Sequence, residues 1–140
     1  MAIWFKQPSL ELLNKRGKNT MVEFLGIEFI EIGDNFLVAT MPVSDRTRQP
    51  MGILHGGANV ALAETVASTA ANTVVDIEKF YCVGLEINAN HIRSVKDGRI
   101  TAKASPIHLG RSTQIWQIDI FNQEQKITCS SRMTASVLSR

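Results

Sequence analysis

The chain has 140 residues, 44% hydrophobic and 20% charged, with a net charge of +2. That is the make-up of one globular domain, large enough to bury a core without disulfides or structural metals. The fifteen Lys and Arg are scattered rather than run together, which argues against a nucleic-acid partner.

The start, Met1-Ala2-Ile3-Trp4-Phe5-Lys6-Gln7-Pro8, lacks the apolar stretch of a secretion signal. Cys82 and Cys129 are far apart and without metal-ligand spacing, so they read as two reduced thiols of a cytoplasmic protein. Ser9 is placed to cap a short helix over Leu10–Asn14, with Lys15-Arg16-Gly17-Lys18 as a polar break. Thr20 and Glu23 have capping-box spacing, and Gly26 suits the stop of that second short helix. From Ile27 the apolar period becomes two. Ile27–Ile32 and Phe36–Val43 flank Gly33-Asp34-Asn35, which is hairpin chemistry.

After a polar loop from Ser44 to Gln49, a long helix is expected over Ala58–Val75. From Gly56 to Val75 its only charged residue is Glu64. A helix apolar nearly all round is a buried helix. The stretch is nevertheless too polar to span a membrane, since Asn59, Thr65, Ser68, Thr69, Asn72 and Thr73 lie within it. Four strands follow. Val83–Arg93 is expected to put Val83, Leu85, Ile87 and Ala89 on one face. Arg99–Ser105 alternates cleanly, Pro106–Gly110 interrupts, Arg111–Phe121 groups Trp116, Ile118 and Ile120, and a last strand carries Ile127, Cys129, Met133, Ala135 and Val137 inward. The fold class is therefore α+β: an antiparallel sheet of about six strands curled around one long helix. One sheet cannot cover such a helix on all sides, so a homodimer is expected.

Three features could carry chemistry. Gly56 and Gly57 stand where helix N–H groups lack intrahelical partners, which suits a carbonyl oxygen gaining negative charge; an ordinary glycine-rich turn would look the same. Glu64, two turns in, shares a face with Val60 and Ser68. A buried carboxylate is shifted toward the range of a general base, although an ion pair with an Arg or a polar spot at a subunit interface would also explain it. His55 precedes the glycines with no metal-spaced partner, so a positioning role suits it better than ligation. Arg93 and Arg111 could meet phosphates or be solvated surface arginines.

The run Gln49-Pro50-Met51-Gly52-Ile53-Leu54-His55-Gly56-Gly57, followed by Ala63-Glu64-Thr65, resembles the hot-dog-fold acyl-CoA thioesterases, specifically the group with a catalytic glutamate on the central helix. The likeness extends through Asn19–Val22, Leu25–Ile27, Met41–Val43, Arg46-Thr47, Glu86–His91, Pro106–Arg111 and Ala135–Val137. Within that group it is most like the hydrolases of 1,4-dihydroxy-2-naphthoyl-CoA in menaquinone formation, beside the Arthrobacter-type 4-hydroxybenzoyl-CoA thioesterases and the proofreading thioesterases that act on aryl carrier proteins.

The resemblance implies hydrolysis of an aromatic acyl-CoA, with Glu64 as general base or as nucleophile through a mixed anhydride. It implies that the Gly57 N–H polarises the thioester carbonyl, that Gln49, His55 and Gly56 line the same pocket, and that Ser68 and Thr69 face the acyl group. Gly84, Asn90, His91, Ile92, Arg93 and Ser94, with His108, Leu109, Gly110, Arg111, Ser112 and Thr113, would hold the pantetheine and phosphates. Coenzyme A comes as part of the substrate, and no metal or separate cofactor is implied. The site would lie between subunits of a homodimer, with a homotetramer as the larger assembly. Thr69 and Ile92 depart from the residues usual in the group, which bears on acyl-pocket size and nucleotide contacts. A non-catalytic acyl-CoA-binding protein would lack the carboxylate, and a hot-dog dehydratase would need a His with an Asp, for which Asp45 is the available candidate.

Overall fold

A computed structural model describes residues 1–140. The elements in chain order are α1 (Leu10–Arg16), α2 (Met21–Phe24), β1 (Glu28–Ile32), β2 (Leu37–Pro42), α3 (Gly56–Val74), β3 (Phe80–His91), β4 (Arg99–Leu109), β5 (Thr113–Phe121) and β6 (Ile127–Ser139). The strands form one six-stranded sheet in the order β1-β2-β4-β5-β6-β3, antiparallel throughout. The expected hot-dog architecture is the one found. No helix is long and apolar enough to cross a membrane.

The sheet closes on α3 through small residues. Ala63, Ala67, Ala70 and Ala71 are buried on the helix. They meet Leu37, Ala39 and Met41 of β2, Ile100, Ala102 and Ala104 of β4, Trp116, Ile118 and Ile120 of β5, and Met133 and Ala135 of β6 in one core. Each large aliphatic side chain buried here contributes about 1.5–3 kcal/mol. Methyl side chains on the helix let its backbone ride close to the strands. Its opposite strip, Ala61, Glu64, Thr65, Ser68 and Thr69, is only partly buried. The helix is therefore apolar on one side and open on the other, rather than enclosed all round.

Local differences from expectation have local causes. Lys15 and Arg16 do not break α1 but form its last turn, where cations suit the helix dipole, and the Gly17 N–H donates to Asn14 O. Helix α3 begins at Gly56 rather than Ala58, because His55 serves as the N-cap, a role usually filled by Ser, Thr, Asp or Asn. Strand β4 runs on through Pro106, whose missing N–H falls at an irregularity between Pro106 and His108. A bulge between Gly84 and Glu86 breaks the face expected for β3. Cys82 points inward, Val83 is exposed, and Leu85 is 65% exposed.

The two sheet edges are treated differently. Strand β1 is short and bulged, and the Asn14 side chain donates to Phe29 O and accepts from the Phe29 N–H, as a neighbouring strand would. Strand β3 has twelve residues and only β6 beside it. Asn72 bonds both the N–H and the C=O of Cys82, and the rest of its outer row has no strand neighbour.

Both cysteines are buried and free. Burial pushes each thiol from about 9 to about 11, helped at Cys129 by the charge of Asp119. The unfolded chain thus loses thiol protons near pH 9 that the folded chain keeps. The thiols leave stability unchanged below about pH 9 and erode it as pH rises toward about 11. Urea unfolding at about pH 8 and about pH 10.5 should show a loss of stability that is smaller in a Cys82→Ala/Cys129→Ala variant.

Candidate active site

The loop before α3 is held from within. Thr47, 1% exposed, donates its hydroxyl to Pro42 O and accepts from the Ser44 N–H. The His55 N–H donates to Thr47 O at 2.8 Å and the Leu54 N–H to Val95 O at 2.8 Å. Gly52, at φ +80°, makes the turn that returns the chain. This frame presents Gln49 and His55 at the start of α3. The Gln49 side-chain oxygen accepts from the Met51 N–H, which leaves its amide nitrogen for the adjacent cavity. His55 Nδ1 accepts from the Gly57 N–H at 2.7 Å, so its Nε2 carries the ring proton in the neutral form.

That hydrogen bond changes the expected division of labour. The N–H of Gly57 is already taken, whereas that of Gly56 has no partner in the chain. Asp45 is not a partner for His55: it is exposed and pairs with Arg48 at 3.1 Å, so the His–Asp couple of a dehydratase does not form.

Around Gly56 the chain closes a cavity of about 300 Å³ lined by Gln49, Ile53, Leu54, Gly56, Asn59, His91, Ile92, Arg93, Ser94 and Val95. A side chain at position 56 would strike His91 Nε2 at 2.9 Å, so glycine is what lets that ring approach the helix start. His91 Nδ1 lies 3.1 Å from Asn59 Nδ2. Asn59, 5% exposed, has no donor for its Oδ1. An orphaned buried carbonyl costs about 1–3 kcal/mol. Arg93 is fastened by a 2.6 Å bond from Nη1 to Ile127 O.

A second region lies farther along α3. Glu64 is half-buried beside a groove of about 400 Å³ lined by Met21, Val22, Leu25, Ile27, Ala61, Thr65, Ser68 and Thr69. It takes part in none of the three ion pairs within the chain. Its Oε1 rests against Gly84, where an added Cβ would come within 2.5 Å.

The expected site residues thus form two groups in one chain. Gln49, His55, Gly56, His91, Ile92, Arg93 and Ser94 stand at the start of α3. Glu64, Ser68, Thr69 and Gly84 stand at its middle. The stretch His108–Thr113 joins the second end of the sheet: Thr113 pairs with Ser136, which pairs with Val83, while His91 pairs with Cys129. Val83 and His91 are about 25 Å apart along the strand, so one chain does not gather all the expected coenzyme A contacts. Within the 108–113 turn, the His108 ring lies against Gly110, and Leu109, Arg111 and Ser112 are exposed. Asn90 is exposed, and strand alternation turns it to the face away from His91. Asn59 escaped the sequence reading; its one signal was an amide a single turn into an apolar helix.

The family model described as Thioesterase superfamily matches residues 51–129, the span that contains both groups apart from Gln49. The chain belongs to the thioesterase superfamily. It is 50% identical over 136 residues to the 1,4-dihydroxy-2-naphthoyl-CoA hydrolase of Escherichia coli K12, an alignment covering 97% of this chain and 99% of that one. It is 44% identical over 137 residues to a proofreading thioesterase, EntH, of Cronobacter turicensis, covering 97% and 98%. A crystal structure of a Q49A variant of thioesterase PA1618 from Pseudomonas aeruginosa superposes with a TM-score of 0.98 at 46% identity, covering 99% of this chain and 100% of that one.

As a thioesterase the protein is a thioester hydrolase, and Gly84 is the point at which the Glu64 carboxylate can be displaced. Gly84 is not at positive φ, so alanine there meets no backbone strain and presses only on the end of a flexible side chain. Gly84→Ala should leave the melting temperature within a few degrees of the parent and lower kcat by on the order of 100-fold, measured by thiol release.

Proposed function

We propose that the protein hydrolyses an aromatic acyl-CoA, of the 1,4-dihydroxy-2-naphthoyl or hydroxybenzoyl type, at a site shared between two subunits. Glu64 of one subunit attacks through water, and Gly56 of the other holds the carbonyl oxygen. The observation that carries this reading is the separation along α3. Gly56 and Glu64 are eight residues apart on a helix rising 1.5 Å per residue, about 12 Å. One chain cannot bring both to a single thioester carbon. The unpartnered edge of β3, with Val83 and Leu85 exposed along it, gives a second copy a place to add antiparallel. A two-fold axis across β3 brings the Gly84 end of one strand toward the His91 end of the other. The two groups of site residues, and the 108–113 turn with the 91–94 stretch, then face each other.

In this reading the acyl group lies in the groove beside Glu64. Met21, Val22, Leu25 and Ile27 offer apolar contact, and the Thr65, Ser68 and Thr69 hydroxyls suit a hydroxylated ring. The name of the Escherichia coli relative supports the naphthoyl choice.

Glu64 takes a proton from water as its oxygen bonds to the thioester carbon. The Gly56 N–H stabilises the oxyanion, a donor worth about 3–4 kcal/mol in such sites. The C–S bond then breaks, and the proton passes from Glu64 to the leaving sulfur, giving free acid and CoA. Direct attack by the carboxylate to form an anhydride would use the same geometry. The variant crystallised in the Pseudomonas relative replaces a glutamine, and Gln49 here lines the cavity at Gly56.

The test is thiol release over naphthoyl-, benzoyl-, phenylacetyl- and straight-chain CoA thioesters, with an aryl carrier-protein thioester as a further arm. Aromatic CoA thioesters should be preferred at least about tenfold, as differential contacts in a pocket allow. Glu64→Gln should lose on the order of 1,000-fold in kcat, and unchanged CoA release by Glu64→Ala would refute the assignment. Leu85→Arg, placed on the open strand edge, should give a monomer by light scattering and lose turnover with it, while its circular dichroism spectrum is kept.

A further inference from the structure

We propose that Asn59 is a positioning residue whose amide fixes the tautomer of His91. In that tautomer, His91 Nε2–H and the Gly56 N–H form a two-donor site for the thioester carbonyl oxygen. This rests on the reading that the thioester is hydrolysed at the start of α3.

Asn59 is almost wholly buried and sends its Nδ2 to His91 Nδ1 at 3.1 Å. Only a ring nitrogen without a proton accepts that bond, so in the neutral ring the proton resides on Nε2. The reverse amide orientation would leave both N–H groups of a buried Nδ2 without acceptors, in place of one carbonyl oxygen without a donor. Orphan N–H groups are the rarer of the two in folded proteins.

His91 Nε2 is the ring atom that meets Gly56, whose missing side chain makes room for it. The N–H of Gly56 is the one at this helix start left without a partner, that of Gly57 being held by His55. Both donors border the same 300 Å³ cavity. An oxyanion site needs donors held before the charge develops. A histidine free to exchange tautomers would present an acceptor lone pair to the oxyanion part of the time. The unmet Oδ1 of Asn59 fits this role: a buried amide that leaves half its bonding capacity unused is kept for the half it uses.

The experiment pairs spectroscopy with a double-mutant cycle on the full chain. Long-range ¹H–¹⁵N spectra of histidine-labelled protein should show His91 protonated on Nε2 alone. Asn59→Ala should convert that signal to a mixture of tautomers. With naphthoyl-CoA or the best substrate of the panel, Asn59→Ala should lower kcat about tenfold with KM within about twofold. His91→Ala should lower kcat on the order of 100-fold. In the His91→Ala background, Asn59→Ala should cost nothing further, because it acts through the ring.

Additive losses, or a His91 signal unmoved by Asn59→Ala, would overturn the inference. So would a loss confined to KM, which would place the donors on a pantetheine amide instead. Asn59→Ser carries the same test if the alanine variant does not fold. A parent protein that hydrolyses no thioester would sink the function itself, while the spectra would still decide whether Asn59 sets the tautomer.

Discussion

The close seating of α3 on the sheet is the constraint from which the site follows. Ala63, Ala67, Ala70 and Ala71 put a stripe of methyl groups on the buried face of the helix, beside Leu62 and Val66. The side chains that flank this stripe can therefore reach β3 directly. They do so at three points: Asn59 at His91, Glu64 at Gly84, and Asn72 at the backbone of Cys82. Larger residues in the stripe would lift the helix and lengthen all three contacts together. The helix core and the functional groups are thus one packing problem, with the buried face setting the distance and the flanks using it.

The fold was largely legible because its main signals are periodic. Alternation is plainest along β4 and β5, where Ile100, Ala102, Ala104, Ile118 and Ile120 are set apart from Thr101, Lys103, Gln117 and Asp119. What sequence could not show were interruptions of the period. A bulge at Gly84 and Glu86 turns Leu85 outward, against an expectation that grouped it with Ile87 and Ala89. The absorption of Pro106 into β4 at an irregularity is of the same kind. Bulges shift parity by one residue and leave little trace in composition, because the residues on either side still look like strand.

At the site, residue types were legible and partners were not. Glu64 stood out as the lone charge in its helix, and Gly56-Gly57 as the helix entry. Which glycine offers a free N–H depends on a ring nitrogen two residues away: His55 Nδ1 satisfies Gly57 and so leaves Gly56. Histidine is an uncommon N-cap, and this same fact displaced the expected start of α3 to Ala58. Gly84 is grouped by the resemblance with the coenzyme A contacts, and in the fold the Glu64 carboxylate lies against it. In each case the chemistry of one residue is decided by which atom of a neighbour reaches it.

The division of the site into two groups follows from this architecture and bears on how it can work. A carboxylate and an N-terminal N–H on the same helix are separated by the helix's own rise, about 12 Å over eight residues. No loop motion within the chain removes that separation, because both groups are carried on one rigid element. Each sheet edge is met at one residue by an asparagine, Phe29 by Asn14 and Cys82 by Asn72, but β1 has five residues and β3 twelve, so most of the β3 edge stays open. In the proposed dimer, antiparallel addition of a second β3 would reverse the order of the two groups in the neighbour, so that each carboxylate would meet the helix start of the other copy. On that proposal, an edge that would otherwise invite indiscriminate strand pairing would become the means of bringing the two groups together. The pairing register would then be constrained twice, by the strand ladder and by the reach of Glu64 toward the Gly56 of the other copy. The bulge beside Gly84 sits where both constraints meet.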